Sequence, residues 1–186
     1  SYRQFMKFSE LLKSVNGIKE AFPPVNLWNP DLCEDVEMKI DRDGNWYYQN
    51  SIIGRDKLKI LFSRIFKHEN GKYFLVTPVE KVLVNVDIAP YMIIDYEIDP
   101  TFKNIILKTN LDYSFSLDVD HPLKIKSLNN ETIPIVKVRD NLEGFLSRSV
   151  FYGLIDVALK QEQPKSNTSN LILRSFDQEF SLGSIN

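Results

Sequence analysis

Residues 55 to 64, RDKLKILFSR, return at residues 139 to 148 as RDNLEGFLSR. Arg55, Asp56, Leu58, Ser63 and Arg64 recur as Arg139, Asp140, Leu142, Ser147 and Arg148, and Leu61-Phe62 is inverted to Phe145-Leu146. A chain of 186 residues offers chance pairings of this quality, so the neighbouring elements must decide whether a unit has been duplicated.

Phe5, Phe8, Leu12 and Val15, with Leu11 beside them, follow the three-and-four spacing of an amphipathic helix, which Asn16-Gly17 can end through a left-handed cap. AFPPVNLWNPDL then reads as a surface strap, because Pro23 and Pro24 fix φ and Pro30 holds Asn29 extended. Phe22, Val25, Leu27 and Trp28 would pin it. VEMKI and WYYQNSI flank Asp41-Arg42-Asp43-Gly44-Asn45, the pattern of a β-hairpin whose acids serve the turn. Asp56 is placed to cap a helix carrying Leu58, Leu61, Phe62 and Ile65, which stops near Asn70-Gly71. YFLVT and EKVLVNV follow as strands, separated by Pro78.

Ile94, Tyr96 and Ile98 alternate with Asp95, Glu97 and Asp99, and NIILKT and YSFSLDV continue the sheet. PLKIK and IPIVKV bracket the turn Asn129-Asn130; Asp140 and Glu143 form a capping-box pattern for a helix through Leu142, Phe145, Leu146, Val150, Leu154 and Val157. After the polar loop QEQPKSNTSN, NLILRS and EFSLGS read as strands. The order strand, strand, helix, strand, strand occurs twice. The fold class is therefore α+β, two small antiparallel sheet-plus-helix units related by internal duplication. The expected divisions are residues 1–24 for the helix and Pro-rich strap, 25–91 for the first unit and 92–186 for the second.

Composition narrows the function. Twenty-three basic residues against 25 acidic ones give a net charge of −2, so no global field recruits a nucleic acid polymer or an anionic membrane. No apolar run reaches the roughly 18 residues of a membrane helix. Cys33 is the one cysteine, which excludes an internal disulfide, and with no signal pattern the expected location is cytoplasmic. No motif for a nucleotide, metal or organic cofactor is present, so none is expected, and GxGxxG, GxxxxGK[ST] and GxSxG are absent. Asn130-Glu131-Thr132 and Asn167-Thr168-Ser169 match the glycosylation acceptor pattern without a secretory context to give it meaning.

Asp118, Asp120 and His121 place two carboxylates at strand spacing beside an imidazole, a weak metal or acid/base candidate, since acids ending a strand before His-Pro are more often a solvated turn. The arginines lead further. Arg55 and Arg139 each precede an expected helix start, while Arg64 and Arg148 flank its apolar stripe; guanidinium groups and helix N-termini together suit a phosphate or carboxylate. Against this, residues 31 to 43 hold six acids and two bases while residues 55 to 67 hold five bases and one acid, so the charges can pair within the unit. Thr77, Glu80 and Lys81 would orient such an anion, and Trp46 or Tyr152 would stack on it.

PPVNLWNP (23–30), MKIDRDGNWYY (38–48), IGRDKL (53–58), YFLVTPVEKV (73–82), DIAP (87–90), DHPL (120–123) and SRSVFYGL (147–154) resemble, in order, the bacterial domain-of-unknown-function family 1285. Glu34 and Ser149 depart from the glycine and proline of that pattern, and Arg174-Ser175 from its Trp-Ser. The resemblance implies an α+β fold with a duplicated core, a second domain superficially like a pleckstrin-homology domain, and a cleft between the domains holding a nucleotide-like ligand in a signalling or regulatory role. It supplies no catalytic residue. The combined expectation is a ligand-binding or regulatory protein that binds an anionic small molecule through Arg55, Thr77, Glu80, Lys81, Arg139, Arg148, Trp46 and Tyr152. The alternatives are metal-assisted hydrolysis and a module docking a protein partner by strand addition.

Overall fold

The computed structural model describes residues 2–165 and 169–184, with Tyr2, Gln4, Phe5 and Met6 described by backbone only. Phe5 as a stripe residue, loop residues 166–168 and Asn167-Thr168 of the acceptor pattern thus lie outside the described side chains or residues. The chain divides into two units, residues 1–88 and 89–186, so the N-terminal helix and strap belong to the first.

In the first unit, helix α1 (Tyr2–Asn16) buries Leu11 and Val15. It ends through Gly17 N–H donating to Lys13 O at 3.3 Å, without a left-handed residue at Asn16 or Gly17. A 3-10 turn (Val25–Leu27) interrupts the strap. Only Val25 of the four expected pins is buried; Phe22 and Leu27 are exposed. The strap is tethered instead by charge: Lys67, itself 6% exposed, donates from Nζ to Trp28 O at 3.0 Å. Arg64 reaches the carbonyls of Ile18, Glu20 and Ala21.

Strand β1 (Leu32–Ile40) alternates as its sequence asks, with Val36, Met38 and Ile40 inward and Glu37 and Lys39 outward. It turns into β2 (Trp46–Tyr48) and β3 (Ser51–Ile52). Helix α2 (Asp56–Ser63) follows, then β4 (Phe66–Glu69), β5 (Lys72–Val76) and β6 (Lys81–Val86). Two expectations fail here. Arg55, not Asp56, occupies the N-cap position, and no side chain caps the helix. The helix also stops at Ser63, because Phe66–Glu69 pairs antiparallel with Lys72–Leu75 across Asn70-Gly71, both at positive φ. An Asn-Gly pair with strands on either side makes a hairpin rather than a helix end. Trp46, Phe62, Ile65 and Phe66 fill the core, each at most 1% exposed; burying one such side chain contributes on the order of 2 kcal/mol.

The second unit runs through β7 (Tyr91–Ile98), β8 (Ile105–Thr109), β9 (Ser114–Ser116), β10 (Leu123–Leu128), β11 (Glu131–Arg139) and β12 (Leu142–Leu146). Helix α3 (Arg148–Lys160) and the hairpin β13 (Asn170–Ser175) and β14 (Gln178–Ser184) complete it. A register shift between Ile93 and Asp95 turns Ile94 out to solvent, so Tyr91 and Ile93 are the buried pair of β7. The expected helix from Asp140 is overturned. Asp140 has φ 49° in a tight turn, and Leu142–Leu146 is a strand hydrogen-bonded on both sides. Gly144 sits where a Cβ would lie 3.1 Å from both Tyr91 Cβ and Val138 Cγ2, so a larger residue would fit only if these neighbours gave way by a few tenths of an ångström. Helix α3 starts only at Arg148, where Ser147 Oγ accepts from Val150 N–H at 3.2 Å.

The duplication is a matter of topology. The first sheet has the order β3-β2-β1-β6-β5-β4, and the second, read from its other edge, β9-β8-β7-β12-β11-β10. Each unit thus sets its own strands in the order third, second, first, sixth, fifth, fourth. In each, the first and sixth strands pair parallel and all other neighbours antiparallel. The repeated segment that raised the question is not the equivalence: residues 55–64 are helix α2, whereas 139–148 are a turn, a strand and a helix start. The matching chemistry lies in the first turns. Asp41 Oδ1 accepts from Asp43 and Asn45 N–H while Asn45 Nδ2 donates to Asp41 Oδ2; Asp99 Oδ1 accepts from Lys103 and Asn104 N–H while Asn104 Nδ2 donates to Asp99 Oδ2. Among the described residues, no helix is long and apolar enough to cross a membrane.

Candidate functional site

The predicted site residues divide between the units. In the first, Trp46 is fully buried against Phe66, ring centroids 5.4 Å apart, so it offers no stacking wall. Its Nε1 is buried without a partner. Lys81 donates to Glu69 Oε2 at 3.2 Å and lies over the Phe74 ring, and together with Lys67 it lowers the Glu69 carboxyl. Arg55 is exposed at the start of α2. The bases of residues 55 to 67 do not take up the acids of residues 31 to 43. Lys59 pairs with Asp56, Lys67 lies 3.7 Å from Glu69, and Arg64 holds backbone carbonyls.

In the second unit Arg139 is structural, its side chain only 9% exposed, with Nε donating to Tyr91 Oη at 2.9 Å and Nη1 reaching Asp140 at 3.1 Å. Burial raises the Tyr91 hydroxyl, against the pull of that guanidinium. Arg148 and Tyr152 stand one turn apart, exposed, on α3. Asp118 organises its own turn, Oδ1 accepting from Asp120 N–H at 3.0 Å and meeting His121 Nδ1 at 2.8 Å. No group of three His, Cys, Asp or Glu among the described residues is placed to hold a metal ion.

Thr77 and Glu80 form the most distinctive arrangement. Thr77 is fully buried between β5 and β6; its Oγ1 accepts from Val79 N–H at 3.3 Å and Glu80 N–H at 3.0 Å, and its own N–H donates to Glu80 O at 2.9 Å. Pro78 fits this loop because no donor is asked of it. The loop fixes the Glu80 backbone, and Glu80 is among the residues that line a pocket of about 380 Å³, at the small end of ligand sites. Arg3 and Lys7 of α1 line it, with Asp31, Cys33 and Asp35 at the start of β1. Glu80 Oε2 is buried there with no hydrogen-bond partner. Burial pushes the Glu80 carboxyl above its usual value, Glu10 reinforces the shift and Lys7 opposes it.

A second pocket, about 390 Å³, lies on the outer face of β1 and β2. Its polar groups already serve one another. Asp41 also accepts from Tyr47 Oη at 3.0 Å, Gln49 Nε2 donates to Asp35 O at 2.9 Å, and Asn85 Nδ2 donates to Glu37. Of these two pockets, the Glu80 one is lined by a residue with a buried side-chain acceptor that has no partner among the described residues. Sequence reasoning found Thr77 and Glu80 but missed Arg3 and Lys7, whose one-turn spacing on the polar side of the α1 stripe was the available signal.

Residues 23–89 match the N-terminal domain, and residues 90–182 the C-terminal domain, of the family described as domain of unknown function DUF1285. The crystal structure of a DUF1285 family protein from Silicibacter pomeroyi DSS-3 is similar over 94% of this chain and 95% of its own, at 34% identity and a TM-score of 0.78. That of a DUF1285 family protein from Shewanella baltica OS155 is similar over 64% of this chain and 91% of its own, at 26% identity and a TM-score of 0.53. No curated protein matches. With both domain patterns matched in order and one relative similar along nearly the whole chain, this protein belongs to the DUF1285 family.

Proposed function

We propose that this is a ligand-binding or regulatory protein whose first unit takes up a small polar molecule in the Glu80 pocket. The observation that carries the reading is the buried, unpartnered Glu80 Oε2 at the wall of a pocket of ligand size. Leaving a buried acceptor unsatisfied costs about 1–3 kcal/mol, more for a charged group, and such groups are few in folded proteins. A ligand carrying a donor removes that cost by drawing the Glu80 side chain round until Oε2 meets the donor.

A second reading keeps the anionic, nucleotide-like ligand. It would fall to Arg55 in the first unit or to Arg148 in the second, because Arg64 and Arg139 are engaged in the fold while these two are exposed at the starts of α2 and α3. Thermal-shift measurements with nucleotides, acyl phosphates, dicarboxylates and amines separate the two. A ligand at a hundred times its Kd stabilises by about 2.7 kcal/mol. A rise in Tm abolished by Glu80→Gln supports the pocket, and one abolished by Arg55→Ala or Arg148→Ala supports the anion reading. No shift from any class at millimolar concentration contradicts both.

A further inference from the structure

We propose that α3 is a self-association face, on which a second copy of this chain lays its own α3 antiparallel about a two-fold axis at Ile155. The helix is apolar on two opposite sides. Val150, Leu154, Val157 and Ala158 are buried and form the side that docks on the second unit. Tyr152, Ile155 and Leu159 stand three and then four residues apart, which places them together on the other side. Tyr152 is 58% and Leu159 61% exposed, Ile155 is half-buried, and the half-buried Phe151 ring stacks beside Tyr152, centroids 6.4 Å apart. A helix whose outer side meets only water carries polar residues there. The proposal is independent of the Glu80 pocket.

The charges at the two ends of α3 indicate what covers this face. Arg148 is the first residue of the helix, where a cation opposes the positive end of the dipole, and the first turn holds no acid. Glu162 lies just beyond the other end, where an anion meets the negative end. Neither forms an ion pair among the described residues. Arg148 precedes Ile155 by seven residues and Glu162 follows it by seven, while Phe151 and Leu159 stand four residues to either side. A two-fold axis through Ile155 therefore brings Arg148 of each copy to Glu162 of the other, and Phe151 to Leu159, with Ile155 against its own image. Each charge that is misplaced on its own helix then lies at an end of opposite sign. This self-complementarity is what selects a second copy over an unrelated helix. One helix per copy makes a small interface, so the dimer is weak and reversible.

Sedimentation equilibrium of the full chain from about 5 µM to about 500 µM tests the proposal, because mass action makes a weak dimer appear with concentration. The expected result is a reversible monomer–dimer equilibrium that Leu159→Lys weakens about tenfold or more. Arg148→Glu and Glu162→Arg should each weaken it about threefold or more, and the two together should restore it to within about twofold of the parent. Both charge changes suit their own helix end, so each variant should melt no lower than the parent at the lowest concentration, which separates lost pairing from lost folding. A chain that stays monomeric throughout overturns the proposal, and so does a dimer that Leu159→Lys leaves intact. A dimer weakened by Leu159→Lys but not recovered by the double charge exchange overturns the antiparallel pairing about Ile155.

Discussion

Arg55 and Arg64 bound the same short helix α2 at its two ends, and the sequence reading assigns Arg55 to the ligand while leaving Arg64 at the flank of the apolar stripe. The structure gives them opposite work, which a pair of alanine substitutions resolves. Arg64 Nε donates to Ala21 O at 2.9 Å, and Nη2 donates to Ile18 O at 3.0 Å and to Glu20 O. These carbonyls belong to the segment joining α1 to the strap. A hydrogen bond to a charged group contributes about 1.5–3 kcal/mol, and less where water reaches the guanidinium, as it does here for two of the three. Arg64→Ala should therefore cost about 2–3 kcal/mol in the first unit. For a domain of that size each kcal/mol moves Tm by about 4–8 °C, so calorimetry should show a fall of about 10 °C or more. Arg64→Lys keeps the charge but not the fork that spans three acceptors, and should recover less than half of the loss. Arg55→Ala, at an exposed position, should stay within about 0.5 kcal/mol of the parent. Because α1 carries Arg3 and Lys7, Arg64→Ala should also weaken any ligand response of the Glu80 pocket. Equal melting temperatures for Arg64→Ala and Arg55→Ala would refute the tether.

Ser147→Ala removes the cap of α3 and should cost about 1 kcal/mol by chemical denaturation, with Ser147→Asp recovering most of it. Gly153→Ala places a Cβ 2.6 Å from Tyr96 Oη and 2.7 Å from its Cε1; overpacking of about 2 kcal/mol should outweigh a helix-propensity gain of about 1 kcal/mol, and the net loss should vanish in a Tyr96→Ala background. Glu80 protonates more readily in the folded than in the unfolded chain, so its contribution to stability falls as pH rises from the unfolded carboxyl value through the folded one. Glu80→Gln should accordingly be more stable than the parent at pH 7, and the difference should close below the unfolded value near 4.5, as read by denaturation midpoints across pH.

The fold class and most strands were legible because turn residues and alternation are local signals. Asp41 to Asn45 and Asn129-Asn130 make the hairpins their residues announce, and Val36, Met38 and Ile40 face inward as their spacing asks. The misread segments obey two local rules at once. Asp140 and Glu143 satisfy a capping pattern, yet Asn141 and Gly144 are poor helix residues, and pairing with β7 and β11 decides for a strand. Duplication holds, but not by the expected element order: α2 falls between the third and fourth strands of its unit while α3 follows the sixth of its own, and the correspondence lies in sheet order and in the turns of Asp41 with Asn45 and Asp99 with Asn104, too few residues and too widely spaced to stand out in the sequence. Of the candidate site, Thr77 and Glu80 could be read from the polar break between two apolar strands. Arg139 could not be assigned, because its partner Tyr91 is 48 residues away in the chain.

The most direct measurement is a ¹³C NMR titration of the glutamate side-chain carboxyls across pH. Glu80 is expected to titrate above the other glutamates, because burial without a partner favours its neutral form. A Glu80 carboxyl that titrates with the exposed glutamates would contradict the claim that it is a buried acceptor left without a partner.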